Sequence, residues 1–227
     1  MSKSRTTANN LLKLYYNATA IANIADNAAT SPITNVQVAL HSAWPAETDT
    51  QDISEISYTG YARVAVARTS GGWTVTNDQV SPVATIGFGA CTAGSATAMF
   101  FSTGQGSSGA TTIWHRGVIG SRMGPCTVVA STDNFTIPGL GSLAVNDRIT
   151  FLTTNGQSIP TGLTEGTVYF VISVSSTTVQ VSTTQGGATV NVTADGDCLA
   201  FKVTPLVITN SPSVTPQLST STTIYEE

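Results

Sequence analysis

The sequence predicts an all-β protein: a β-sandwich or jelly-roll-like host domain with one N-terminal α-helix, plus an inserted small antiparallel β domain. Three observations predict it. Beyond Pro32 the apolar residues alternate with polar ones in many short runs, Gly- and Ser-containing turns separate those runs, and only residues 7–27 carry helical spacing. An apolar fraction of 41% over 227 residues is enough to build a real core.

The helix reading rests on Leu11, Leu14, Tyr15, Ala18, Ile21, Ala22 and Ala25, which recur at steps of three and four and form one apolar stripe. Thr6 or Thr7 is placed to cap its start, Asn9, Asn10, Lys13, Asn17 and Asn23 occupy the opposite side, and Pro32 prevents continuation. The stripe has two readings, packing on the chain's own sheet or contact with a neighbouring subunit.

The period then changes to two. Val36, Val38 and Leu40 alternate with Gln37 and Ala39, YARVAVA follows at 61–67, and Trp73 and Val75 alternate with Thr74 and Thr76. Between the first two runs lies a long loop carrying Glu47, Asp49, Asp52 and Glu55, which its length marks as an exposed excursion. Further strands are expected at 83–88, 96–102, 112–119, 127–130, 149–153, 167–174, 177–182, 188–193, 198–203 and 222–225.

Composition shifts inside this series. From Thr127 to Val203 there is no Trp or His, and Arg148 and Lys202 are the only bases, while Val- and Thr-rich strands follow at regular spacing. The domain reading is therefore a host of residues 1–125 and 204–227 interrupted by a β module at 126–203, with Gly124, Pro125, Thr204 and Pro205 as hinge residues.

The same composition excludes several functions. Charged residues make up 10% of the chain, and nine Lys and Arg against thirteen Asp and Glu leave a net charge of −4, so there is no basic footprint for nucleic acid or an anionic membrane. No apolar run is long enough to span a bilayer and the N-terminus lacks a secretory h-region, which predicts a soluble protein made in a cytoplasm. His41 and His115 stand alone, with no HxxxH, CxxC or HxH in the chain. The expectation is a protein that is not an enzyme, with no catalytic, cofactor-binding or metal residue and no cofactor.

Three residue sets still carry competing readings. Tyr58, Tyr61 and Arg63 suit either sugar stacking or a lock in which the tyrosines pin a loop and Arg63 pairs with an acid from 47–55. Asp195, Gly196 and Asp197, with Asp133 or Asp147, suit either calcium or, for the DGD itself, a type I′ turn. No two acids are arranged for glycoside hydrolysis. Cys126 and Cys198 stand at the two roots of the insert, either as free buried thiols or bridged after lysis, and Cys91 reads as a small core residue.

Val38 to Leu40, Pro45, Tyr58, Gly60, Tyr61, Arg63, Pro216, Leu218 and Thr223 together resemble a family of small tailed-bacteriophage virion proteins, commonly labelled tail fibre proteins, some of them similar to capsid decoration (cement) proteins. The resemblance covers residues 33–119 and 205–227. The stretch from Thr127 to Val203 departs from it and is similar to a β module of phage tail and virion proteins. What the resemblance implies is a capsid decoration protein that binds and stabilises the outer surface of the phage head. It would be made in the bacterial host cytoplasm and reside on the capsid surface of the virion. Its partners would be the major capsid protein and itself, as a homodimer or homotrimer, with no nucleic acid and no membrane. The helix stripe and the acidic loop would be the contact elements. The alternative is a tail fibre or tail appendage protein recognising a host-surface polysaccharide.

Overall fold

The computed structural model describes residues 5–21, 32–141, 143–153 and 157–225. In chain order the first unit contributes α1 (Arg5–Asn17), β1 (Asn35–His41), β2 (Val64–Ala67), β3 (Trp73–Thr76), β4 (Gln79–Pro82), β5 (Ile86–Gly87), β6 (Ala96–Ala98), β7 (Phe100–Gly104) and β8 (Ile113–Val118). The second contributes β9 (Gly120–Val129), β10 (Asn134–Thr136), β11 (Arg148–Leu152), β12 (Val168–Ser175), β13 (Thr178–Ser182) and β14 (Gly196–Val203). The chain then returns to the first with β15 (Leu206–Ile208), β16 (Gln217–Leu218) and β17 (Ile224–Tyr225). Unit 1 comprises residues 1–119 and 206–227, and unit 2 residues 120–205.

Unit 1 is built on a four-stranded antiparallel sheet in the order β2-β1-β7-β8, accompanied by the ribbons β15-β6 and β16-β5 and the three-stranded β17-β4-β3. Val36, Val38 and Leu40 of β1 enter a single apolar core with Trp73, Phe88 and Leu218. The β3–β4 hairpin closes through Asn77 and Asp78, both at positive φ (49° and 59°), the geometry of a two-residue type I′ turn that Asn and Asp tolerate best after Gly.

Helix α1 ends ten residues before the expected boundary. Ala18 turns left-handed (φ 53°), the Thr19 N–H closes on the Lys13 carbonyl at 3.1 Å, and the Arg68 guanidinium takes the free carbonyls of Leu14 and Tyr15. Residues 22–27 of the expected helix lie outside the described residues. Thr6 and Thr7 sit in its first turn rather than capping it. The buried line is Ala8, Leu12 and Tyr16, one residue round from the expected stripe, while Tyr15 is 39% exposed. Tyr16 wins its place because its ring packs edge-on against Trp73 at 4.8 Å and its hydroxyl bonds Thr103 at 2.8 Å. Leu12→Ala is therefore expected to cost about 2–5 kcal/mol of unit 1 stability and Tyr15→Ala less than about 1. Paired thermal melts check this, and equal losses would contradict the assigned face.

Unit 2 is a closed six-stranded barrel, β10-β13-β12-β11-β14-β9, antiparallel throughout. Closure removes the free strand edges that an isolated module would expose. Its interior is filled by Phe135 and Phe151, stacked 4.8 Å apart, with Ile149, Tyr169, Val171 and Val181 around them. The unit begins earlier than composition suggested. Gly120 to Val128 pairs with β14, so Gly124 and Pro125 lie within a strand and not at a hinge. Residues 188–193 form no strand: Val190 N–H bonds Val181, Val192 N–H bonds the Asp133 carboxylate and Thr193 N–H bonds Thr161, three separate partners in place of one ladder. The short strands β4, β10, β15 and β16 were not expected from the alternation.

Candidate functional site

The loop between β1 and β2 keeps much of its surface exposed, as its length suggested, while its backbone folds back onto the sheet. Its backbone is tied down by Ser42 N–H to Ser54 O (2.9 Å), Gln51 N–H to Thr111 O (2.9 Å) and Ile56 N–H to Leu40 O (3.0 Å). This carries Glu55 to Arg63, immediately before β2. The two form a bidentate pair, Nε to Oε1 at 2.9 Å and Nη2 to Oε2 at 2.8 Å. The remaining Arg63 donors reach Gly106 O (2.9 Å), Gly109 O (2.8 Å) and the Thr111 hydroxyl (2.8 Å). All five N–H groups of the fork are thus occupied.

Tyr61 completes the pair. Its hydroxyl donates to Glu55 Oε1 at 2.9 Å and accepts from Leu40 N–H at 3.0 Å, and burial pushes its phenol well above the ordinary range. Its ring stacks on Phe88 and lies 5.4 Å from that of Tyr58, whose hydroxyl donates to Gly89 O at 2.8 Å. Gly60, between the tyrosines, has φ 107°, and a Cβ there would come within 2.2 Å of Ala90 O, so only glycine fits. Of the two readings of Tyr58, Tyr61 and Arg63, the structure has the lock: the Arg63 side chain is only 1% exposed and offers no fork to a sugar.

The lock extends inward. His41 Nδ1 donates to Ile53 O at 3.0 Å, which leaves Nε2 to accept from the Ser102 hydroxyl at 2.8 Å. The Ser102 oxygen in turn accepts from Gln51 Nε2 at 3.2 Å, and Gln51 Oε1 accepts from Thr111, which joins Arg63. Although Ser102 and His41 have the contact of a nucleophile and base, both are completely buried and each is engaged on its other side, so no substrate reaches them. These residues span positions 41 to 111 with no regular spacing, and no sequence pattern gathers them.

Burial lowers the His41 pKa below its ordinary value of 6.5, with Arg63 adding to the effect and the Ile53 carbonyl and Glu55 opposing it. The unfolded chain therefore binds the proton more readily than the folded one. Stability from neutral His41 is present above pH 6.5 and is lost as pH falls through and below that value, at up to about 1.4 kcal/mol per pH unit. Denaturant melts between pH 7.5 and 5 are expected to show this slope in the wild type and its loss in His41→Gln; an unchanged slope in the variant would remove His41 as its source.

Arg116 forms a smaller clamp, its guanidinium 4.9 Å over the Trp44 ring and bonded to Pro45 O at 2.7 Å. A second aromatic cluster was not foreseen: Tyr15 and Trp114 rings lie 5.5 Å apart, and His115 Nδ1 meets the Tyr16 hydroxyl at 2.9 Å.

In unit 2 the acids considered for calcium serve the backbone. Asp133 accepts from Val192 N–H (2.7 Å), Asp195 from Ala130 N–H (2.8 Å), and Asp147 from Ala144 N–H and the Lys202 ammonium (both 2.7 Å). Burial opposes ionisation of Asp147, but Lys202 and the Ala144 N–H outweigh it and hold its carboxyl below the usual range. Among the described residues no group of three or more His, Cys, Asp or Glu is placed to hold a metal ion. Nor is the DGD a type I′ turn. Neither Asp195 nor Gly196 has positive φ, and Gly196 and Asp197 already pair with Val128 and Thr127. A Cβ at 196 would stand 3.0 Å from Pro160 Cγ and 3.1 Å from Ser158 O, so a larger residue there needs the crossing segment to give by a few tenths of an ångström. Cys126 and Cys198 are unbonded and buried, directly opposite in register on β9 and β14, and Cys91 is buried in unit 1.

Most of the residues that carry the family resemblance thus serve internal contacts of unit 1. Leu40, Tyr58, Gly60, Tyr61 and Arg63 hold the long loop down, Pro45 receives Arg116, and Pro216 accepts from Phe88 N–H at 2.8 Å beside buried Leu218. The class these features define is a β-rich structural protein whose motif residues build the body itself. Residues 3–139 match the family of the podophage GP4 fiber I protein gp80, and the chain belongs to that family, a phage virion protein of the fibre type. The match begins in the N-terminal segment and runs through β9 and β10 of the barrel. No curated protein matches the chain.

Proposed function

We propose that the chain is a non-catalytic, fibre-type component of the virion surface. The observation that carries this reading is the match to a fibre protein over residues 3–139. The lock around Arg63 supports it, since the residues that looked most like a ligand site are spent on internal bonds. The second reading, a capsid decoration protein bound to the major capsid protein as a homodimer or homotrimer, is supported by the resemblance of residues 33–119 and 205–227 to proteins of that kind.

Gold-labelled antibody against the barrel, applied to intact particles, separates the two. Label confined to fibres or the tail is the expected result. Label spread over the head lattice would overturn the fibre reading in favour of decoration, and particles stripped of the protein would then lose DNA at lower temperature.

A further inference from the structure

We propose that Cys126 and Cys198 are a latent disulfide, a redox latch that closes the β9–β14 seam of the barrel covalently once the protein meets an oxidising environment. The two residues are direct register partners on adjacent antiparallel strands. Partners of that kind point to the same side of the sheet and stand with Cα atoms about 4.5–5.5 Å apart, inside the span of about 4.4–6.8 Å that a disulfide accepts. Both side chains lie inside the barrel, 1% and 0% exposed, and both sulfurs are free. The Cys126 thiol donates to Thr127 O at 3.8 Å, and the neighbouring Cys198 side chain together with burial pushes it far above the ordinary thiol range. The thiolate is thereby suppressed, and the dithiol persists in a reducing cytoplasm.

The position gives the bond its consequence. β9 is the first strand of unit 2 and β14 the last, and their pairing is the seam through which the barrel closes. A cross-link there encloses residues 127–197 in a covalent loop, restricting the unfolded barrel while matching the register already present in the folded one. The oxidant must be small, and hydrogen peroxide suffices. One thiol takes an oxygen atom from the peroxide, giving a sulfenic acid and one water. The second sulfur then attacks the first, the S–S bond forms, and the hydroxyl leaves as a second water with the thiol proton. Peroxide accepts both electrons, so two thiols and one peroxide give one disulfide and two waters.

The test uses the full chain carrying Cys91→Ala, treated with graded peroxide, quenched by alkylation in denaturant and mapped by mass spectrometry. The expected product is an intramolecular Cys126–Cys198 link with the mass of two hydrogens lost, and a barrel transition raised by about 5 °C or more over the reduced form. The same chain with Cys198→Ser is expected to show neither change. Recovery of both cysteines as alkylated thiols, their conversion to sulfinic acid, or a disulfide that leaves the transition unchanged or lowers it would each overturn the proposal.

Discussion

Arg63→Met is expected to lower the unfolding temperature of unit 1 by about 10 °C or more while leaving the barrel transition where it is. The substitution keeps much of the side chain's length but removes five donors, leaving Glu55 and the carbonyls of Gly106 and Gly109 without their partner. Stranding one member of a buried ion pair costs about 3–5 kcal/mol, a large fraction of the roughly 5–15 kcal/mol that holds a domain folded. Arg63→Lys is expected to recover little, because a single ammonium cannot span Glu55, two carbonyls and a hydroxyl together. Adding Glu55→Gln to Arg63→Met is expected to restore part of the loss, since no unpaired charge then remains. Calorimetry of the four proteins checks the series, with the barrel transition as internal reference. A wild-type melt for Arg63→Met would contradict the lock.

Deleting residues 120–205 and joining Ile119 to Leu206 through a short Gly-Ser linker is expected to leave unit 1 folded. Unit 1 itself holds the two ends side by side: Ile119 N–H bonds Met99 O at 2.9 Å, and Leu206 pairs with Ala98, the neighbouring residue. Within unit 2 the corresponding ends, Gly120 and Val203, are register partners. Each unit also has its own apolar core. The joined unit is expected to keep its proteolytic resistance and a cooperative melt, and residues 120–205 alone to fold as a barrel. Loss of both in the joined protein would show that the units depend on each other for folding.

Much of this architecture was legible because it is local. The alternation at Val36–Leu40 and around Trp73 marked real strands, and the change of composition marked a second body. Arg63 pairing with an acid of the 47–55 loop was readable as an alternative, since a buried Arg needs a carboxylate and four stood nearby. What stayed hidden depended on distant partners. The end of α1 is set by Arg68, more than fifty residues away, and by a left-handed Ala18 that carries none of the usual Gly signal. Tyr16 is chosen over Tyr15 by Trp73 and Thr103, which helical spacing cannot see. A two-residue strand such as β16 is too short to show a period. The His41–Ser102–Gln51–Thr111 chain exists only after β1, β7 and the two loops have come together.

That this chain is a built-in part of the particle with both units retained is tested most directly by peptide-level quantitative mass spectrometry of gradient-purified virions. The predicted result is a fixed molar ratio to the major capsid protein, reproduced between preparations and identical for peptides from residues 32–119 and from residues 120–205. Absence from washed particles, or a ratio that drifts with purification, would contradict a structural role in the virion.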